Sequence, residues 1–110
     1  MIIGYARIAN TTGDINKQIR ALAHFGCKEV FTDEGTGIKL DRPSYTKMML
    51  KLQSGDVVMV YSIDRLSRNP LEIQEIVRQF CENGIGFVSL KERVNTTTGE
   101  NVDLLGLRFK

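Results

Sequence analysis

Residues 55–80 read GDVVMVYSIDRLSRNPLEIQEIVRQF and contain a strand, a charged loop and a helix in immediate succession. The strand, Val57 to Ser62, is apolar on both faces, which is typical of a central strand in a parallel sheet. Asn69 precedes Pro70 and lies three residues before Glu72, a pattern that predicts a helix capped as in a capping box. Apolar residues predict the buried side of this helix: Leu71, Ile73, Ile76, Val77 and Phe80.

Two strands and two helices precede this unit. A short apolar strand, Ile2 to Ala6, leads to a helix for which Asp14 is the expected N-cap and Gly26 the expected C-terminal stop. The apolar residues of this helix recur at helical spacing: Ile15, Ile19, Leu22 and Phe25. A second strand, Glu29 to Thr32, follows, and a loop that contains two glycines, residues 33–40, separates it from the next helix.

The next helix is expected to begin near Pro43, because the first turn of a helix does not need the N–H that proline lacks. It carries an apolar stripe: Tyr45, Met48, Met49 and Leu52. Gly86 to Leu90 is expected to form a fourth strand after the helix of the opening stretch. Strands and helices thus alternate, and short right-handed connections favour an α/β fold, a mostly parallel four- to five-stranded sheet with helices on both faces.

The composition is that of an ordinary globular domain. The chain has 110 residues, of which 42% are hydrophobic and 25% are charged, so disordered and fibrous classes are excluded. A net charge of +2 is too small to indicate a nucleic acid partner by itself. No apolar run approaches the roughly 20 residues of a membrane span, and the N-terminus lacks the pattern of a signal peptide. We therefore expect a cytoplasmic protein.

The cysteines do not indicate a metal site. Cys27 and Cys81 do not form a CxxC pair, and His24 is the single histidine, so the sequence lacks enough ligands for zinc. We expect two reduced thiols, each buried or half-buried.

Charged residues follow the first three of the predicted strands. Because the carboxyl ends of parallel strands meet at one edge of a sheet, we expect these residues to converge there. Arginine donates two parallel hydrogen bonds to a phosphate, so the four arginines among them predict a phosphate-binding basin. Solvated loop charges in ordinary ion pairs are the alternative. The charged residues are Arg7, Asp33, Glu34, Lys39, Asp41, Arg42, Asp64, Arg65 and Arg68.

Four segments together resemble the catalytic domain of serine recombinases of the resolvase/invertase type. They are IIGYARIANTTGDINKQIRAL (2–22), TDEGTGIKLDRPSYTKMM (32–49), GDVVMVYSIDRLSRN (55–69) and NGIGFVSLKERVNTTTG (83–99). The resemblance covers about residues 1–99 in the family's order. GYAR near the N-terminus together with DRLxR after a strand is its most specific part.

The resemblance implies a reaction and a set of residues for it. In this family a serine attacks a DNA phosphodiester and forms a covalent 5′-phosphoserine link, with no metal and no nucleotide cofactor. The matching phosphate-binding residues are Arg7, Arg42, Arg65 and Arg68, and the matching acid is Asp64. The matching supporting residues are Tyr5, Gln18, Asp33 and Thr36.

Ala9 occupies the position of the family's nucleophile, directly after YARI. A methyl group cannot attack phosphorus, so we expect no cleavage by the chain as written. The nearby hydroxyls of Thr11 and Thr12 lie at the wrong position to substitute. Two explanations stay open: an engineered Ser→Ala change, or a naturally inactive relative.

The resemblance also predicts the organisation of the whole protein. Residues 1–110 are expected to form a catalytic domain that ends before a long dimer helix and a DNA-binding domain. Leu104, Leu105, Leu107 and Phe109 would begin that helix or pack on the sheet. The full-length protein is expected to act on DNA as a homodimer or tetramer, as a resolvase, invertase or transposase.

Two other functions compete with the recombinase interpretation. One is a non-catalytic module that binds DNA or active recombinase subunits. The other is a flavodoxin-like or receiver-like domain that binds a small ligand. A receiver domain would carry paired acids just after its first strand, where this chain carries Arg7.

Overall fold

A computed structural model describes residues 1–8, 13–34, 43–67, 69–98, 103–104 and 107–108. The strands are β1 (Ile2–Ile8), β2 (Glu29–Glu34), β3 (Val57–Val60), β4 (Gly86–Ser89), β5 (Val94–Asn95), β6 (Asp103–Leu104) and β7 (Leu107–Arg108). The helices are α1 (Gly13–His24), α2 (Pro43–Lys51) and α3 (Pro70–Glu82). Two short 3-10 helices span Ile63–Arg65 and Thr96–Thr98.

The first five strands form one sheet in the order β2-β1-β3-β4-β5. The strands β1 to β4 run parallel, and β5 joins β4 antiparallel. The predicted fold class, a mostly parallel sheet of four to five strands, is therefore confirmed. β6 and β7 pair with each other in a separate antiparallel sheet of two strands.

Helices cover both faces of the sheet, as predicted. Leu22 of α1 packs with Ala6 and Met59 on one face. Met48 of α2 and Phe80 of α3 pack on the other face. That face carries the larger core cluster, and alternate residues of the strands point to it: Ile3, Tyr5, Val58, Val60 and Phe87. The apolar run of β3 thus supplies both cores, as expected for a central strand.

Two predictions about buried side chains were wrong, and one residue assigned to the first helix lies beyond its end. Leu71 is 75% exposed, because it lies two residues before Ile73, about 200° around the helix from that buried position. Phe25 is 55% exposed, because α1 ends at His24 and Phe25 follows its last turn. Cys81 is exposed on α3, whereas Cys27 is half-buried as predicted.

Several element ends differ from the prediction by one or two residues. α1 begins at Gly13, so Asp14 lies inside its first turn and not at the N-cap. β3 ends at Val60, two residues before the predicted Ser62, because the chain turns there into the 3-10 helix Ile63–Arg65. Gly26 adopts φ 98°, a left-handed conformation that suits the predicted stop after α1.

The predicted cap of α3 is confirmed. Asn69 Oδ1 accepts hydrogen bonds from the backbone N–H of Leu71 at 3.0 Å and of Glu72 at 3.4 Å. The backbone N–H of Asn69, which a capping box would direct to Glu72, donates to Ser67 Oγ at 3.1 Å. The chain between β3 and α3 is thereby tied to the first turn of α3.

Candidate active site

The backbone of Arg7 lies where β1 extends beyond β3. Pairing of β1 with β3 ends at Tyr5 and Val60, whereas pairing with β2 continues to Ile8. The fully buried Gln18 of α1 takes the place of the missing strand. Its Oε1 accepts the Arg7 N–H at 3.1 Å, and its Nε2 donates to the Arg7 carbonyl at 3.0 Å. One side-chain amide therefore satisfies both backbone groups of this buried residue.

Arg65 reaches the same backbone group from the segment after β3. Its Nη1 donates to the carbonyl oxygen of Arg7 at 3.4 Å. Its Nε lies 3.9 Å from Asp64 Oδ1. Arg7 itself is 8% exposed. Two of the four predicted phosphate-binding arginines thus meet at the carboxyl end of β1, and Asp64 lies beside one of them.

Asp33 joins β1, β2 and α2 at this edge of the sheet. The Tyr5 hydroxyl donates to Asp33 Oδ2 at 2.8 Å. The backbone N–H groups of Ser44 and Tyr45 donate to its two carboxylate oxygens at 3.0 and 2.9 Å. A carboxylate from a neighbouring strand therefore caps the first turn of α2, where a negative charge is favourable. The rings of Tyr5 and Tyr45 meet edge to face at a centroid distance of 5.3 Å.

Arg7 and Asp33 are register partners on β1 and β2, so the two groups of contacts lie side by side. One group contains Arg7, Gln18 and Arg65, and the other contains Tyr5 and Asp33. The structure thus brings together every predicted site residue that it describes, along the carboxyl ends of β1, β2 and β3. Ala9, Thr36, Arg42 and Arg68 lie outside the described residues.

Three polar residues at this edge were missed by the sequence reasoning. The hydroxyl of the buried Ser62 donates a hydrogen bond to Asp64 Oδ1. Glu92 accepts from the backbone N–H of Ile63 and from the hydroxyl of the buried Ser89. Glu92 follows β4 as Asp64 follows β3, and an acid after a parallel strand was the available signal for it.

Neither a metal site nor a membrane span is evident in the described parts of the chain. Their His, Cys, Asp and Glu side chains form no group of three or more that could hold a metal ion. None of the helices that they form is both long and apolar enough to cross a membrane.

Known proteins are similar to this chain in sequence. The chain is 38% identical over 98 residues to the Transposon Tn917 resolvase of Enterococcus faecalis, covering 89% of this chain and 53% of the resolvase. It is 34% identical over 98 residues to the Serine recombinase gin of Escherichia phage Mu, covering 89% of this chain and 51% of that protein. The chain therefore spans about half the length of these curated relatives.

Solved structures show the same fold. The N-terminal catalytic domain of TP901-1 integrase superposes with a TM-score of 0.73 at 30% identity, covering 87% of this chain and 81% of that one. A serine recombinase from Sulfolobus solfataricus superposes with a TM-score of 0.64 at 28% identity, covering 81% and 66%. The model of the resolvase N-terminal domain matches residues 2–108. The chain accordingly belongs to the resolvase family and corresponds to its N-terminal domain.

Proposed function

We propose that this chain is the catalytic domain of a site-specific DNA recombinase, and that the chain as written does not cleave DNA. One observation carries the proposal: the Gln18 amide and the Arg65 guanidinium converge on the backbone of Arg7, two residues before Ala9. This arrangement fixes the backbone of Arg7 and brings the Arg65 guanidinium to it, two residues along the chain from the position proposed for the nucleophile.

The proposed role of the arginines is to bind the scissile phosphate. Guanidinium groups stay charged at any physiological pH and donate paired hydrogen bonds to non-bridging oxygens. Arg7 and Arg65 would hold the phosphate, with Arg42 and Arg68 completing the set. Such donors stabilise the charge that builds up on the phosphate oxygens during transfer.

With serine at position 9, its Oγ would attack phosphorus and the bond to the 3′ oxygen of the DNA would break. The product is a 5′-phosphoserine link, and the 3′ oxygen leaves with a proton. Asp64 would either orient the Arg65 guanidinium or act on the leaving oxygen. Tyr5, Gln18, Asp33 and Thr36 would support the site. Ala9 has no atom that can attack, so the cycle cannot begin.

We further propose that the parent protein is longer than residues 1–110. It would continue into a long dimer helix and a DNA-binding domain, and it would act on DNA as a homodimer or tetramer. Two relatives support this organisation, the transposon resolvase and the serine recombinase described above. This chain spans about half the length of each. A DNA substrate also agrees with the cytoplasmic location that the sequence predicts.

A non-catalytic partner of active recombinases is the second candidate, and Ala9 is the observation that favours it. Such a subunit would occupy DNA or pair with active subunits without forming a covalent link. The catalytic domain and the non-catalytic partner can be distinguished by testing whether serine at position 9 restores cleavage.

Phosphate binding can be tested on the chain itself. Short duplex DNA is titrated into the isotope-labelled chain while backbone amide signals are followed by NMR. We expect shifts at Arg7, Asp33 and Arg65 with a Kd of about 10⁻⁴ M or weaker. Added salt should weaken this binding. Lys51 ends α2 and pairs with Glu29 at the start of β2, away from the candidate site, so its backbone amide signal should not shift. Shifts scattered over both ends of the sheet, or none at these residues, would refute the phosphate site.

A further inference from the structure

Glu92 lies in a turn that runs beside the segment carrying Asp64 and Arg65. The backbone N–H of Leu90 donates to the Val60 carbonyl at 3.0 Å, and that of Lys91 donates to the Tyr61 carbonyl at 2.8 Å. The pairing between β3 and β4 therefore continues past the last residues of both strands. Glu92 is consequently held within reach of the next backbone group, the N–H of Ile63.

The Glu92 carboxylate binds two groups from different segments. The Ile63 N–H donates to it, at 3.2 Å from Oε1 and 3.3 Å from Oε2. The hydroxyl of Ser89, which is fully buried, donates to Oε1. A hydrogen bond to an ionised acceptor is stronger than one between neutral groups. Ser89 thus aims the carboxylate, and the carboxylate holds the first residue of the 3-10 helix Ile63–Arg65.

The backbone next to Glu92 is held in an uncommon conformation. Arg93 has φ 59°, in the left-handed region, which non-glycine residues rarely adopt. Its N–H donates to the Leu90 carbonyl at 3.3 Å and closes the turn. Such conformations persist where the surrounding contacts determine them, and they are frequent at functional sites. The turn fixes the direction from which Glu92 approaches Ile63.

We propose that Glu92 is a positioning residue for the phosphate site. It fixes Ile63 and thereby the two residues that follow, Asp64 and Arg65, of which Arg65 reaches the Arg7 carbonyl. This inference rests on the proposed function, since it assigns Glu92 to the site where the phosphate would be held.

The first arm of the test uses the full parent protein with Ala9→Ser and supercoiled DNA that carries its recombination site. Glu92→Ala should slow formation of the covalent protein–DNA adduct on the order of ten-fold, because small displacements of a phosphate-binding group are costly. Glu92→Ala also removes the acceptor of the Ser89 hydroxyl and the Ile63 N–H, so its melting temperature should fall by a few degrees, and the rates are compared at a temperature where every variant is folded. Glu92→Gln keeps an acceptor oxygen at the same reach, so it should restore most of the rate. Glu29→Ala is the matched control, because Glu29 pairs with Lys51 at the far end of β2.

The second arm uses the chain of 110 residues and does not depend on cleavage. The side-chain Nε–Hε signal of Arg65 should move in Glu92→Ala, stay near its original position in Glu92→Gln, and be unaffected by Glu29→Ala. If no adduct forms even with serine at position 9, the proposed function fails, and this signal alone decides on Glu92. An unmoved Arg65 signal, an adduct rate within two-fold of the parent in Glu92→Ala, or equal damage by Gln and Ala overturns the inference.

Discussion

The side-chain amide of Gln18 accepts the backbone N–H of Arg7 and donates to its carbonyl, at 3.1 and 3.0 Å. A helix residue thereby pairs with the backbone of β1 at the point where β3, which ends at Val60, no longer does. This contact fixes the backbone of Arg7 near the end of β1, two residues before Ala9. The geometry of the candidate site therefore depends on a buried polar residue that carries no charge.

Gln18→Leu should destabilise the fold by about 1–3 kcal/mol, because it leaves the buried N–H of Arg7 without its acceptor. Urea unfolding measures this loss. Gln53→Leu, at an exposed position before β3, is the matched control and should change the unfolding free energy by less than about 0.5 kcal/mol. Equal stability of Gln18→Leu and the parent would show that the amide does not hold Arg7.

Asp33→Ala should cost about 2–3 kcal/mol of unfolding free energy, because three donors lose a charged acceptor: the Tyr5 hydroxyl and the N–H groups of Ser44 and Tyr45. Tyr5→Phe removes one of these donors and leaves Asp33 with two. It should cost about 1 kcal/mol, and the double variant should show non-additivity. If both single changes cost the same, Asp33 does not anchor the start of α2.

The two cysteines should differ in reactivity. Burial raises the pKa of the Cys27 thiol to about 11, so little reactive thiolate is present near neutral pH. Cys81 is exposed on α3. Iodoacetamide should therefore modify Cys81 first, and Cys27 only after unfolding or in strong base, as read by mass spectrometry of digested peptides. Faster modification of Cys27 than of Cys81 in the native chain would contradict the packing around α1.

Asp56 should make stability depend on pH. The backbone N–H of Gln53, followed by the N-terminal amine, lowers the pKa of its carboxyl below the usual 3.8. A group whose pKa falls on folding stabilises fully above its unfolded pKa, and this contribution is lost as pH falls through the folded pKa. Asp56→Asn should therefore unfold at a lower urea concentration than the parent near neutral pH, and the difference should shrink as the pH falls and Asp56 becomes protonated. A difference that persists in acid would exclude the charge as its cause.

Much of the fold could be predicted from periodicity alone. The alternation of strands and helices, the central position of β3 and the cap at Asn69 follow from short apolar runs and helix-start residues. Leu71 was misassigned because an apolar residue near a helix start matches the composition of a buried face but not its angular position. The order of the strands in the sheet depends on which face each helix covers, and local sequence does not carry that information.

The candidate site could be predicted in part for a related reason. Residues at the ends of parallel strands converge by geometry, which placed Arg7, Asp33 and Arg65 together. Glu92 follows β4 in the same way and so carried the same signal, whereas its contact with Ile63, 29 positions away, has no sign in the local sequence. Gln18 was predicted only through the family resemblance, since a glutamine on a helix carries no local sign that it will complete a strand.

If a working recombinase site surrounds Ala9, serine at that position should restore cleavage. The most direct measurement places Ala9→Ser in the full parent protein, incubates it with supercoiled DNA carrying its recombination site, and looks for a covalent adduct on a denaturing gel. We expect an adduct that requires serine at position 9 and disappears when Arg65→Ala is added. DNA binding without any adduct in the Ala9→Ser protein would contradict it and would favour a non-catalytic partner.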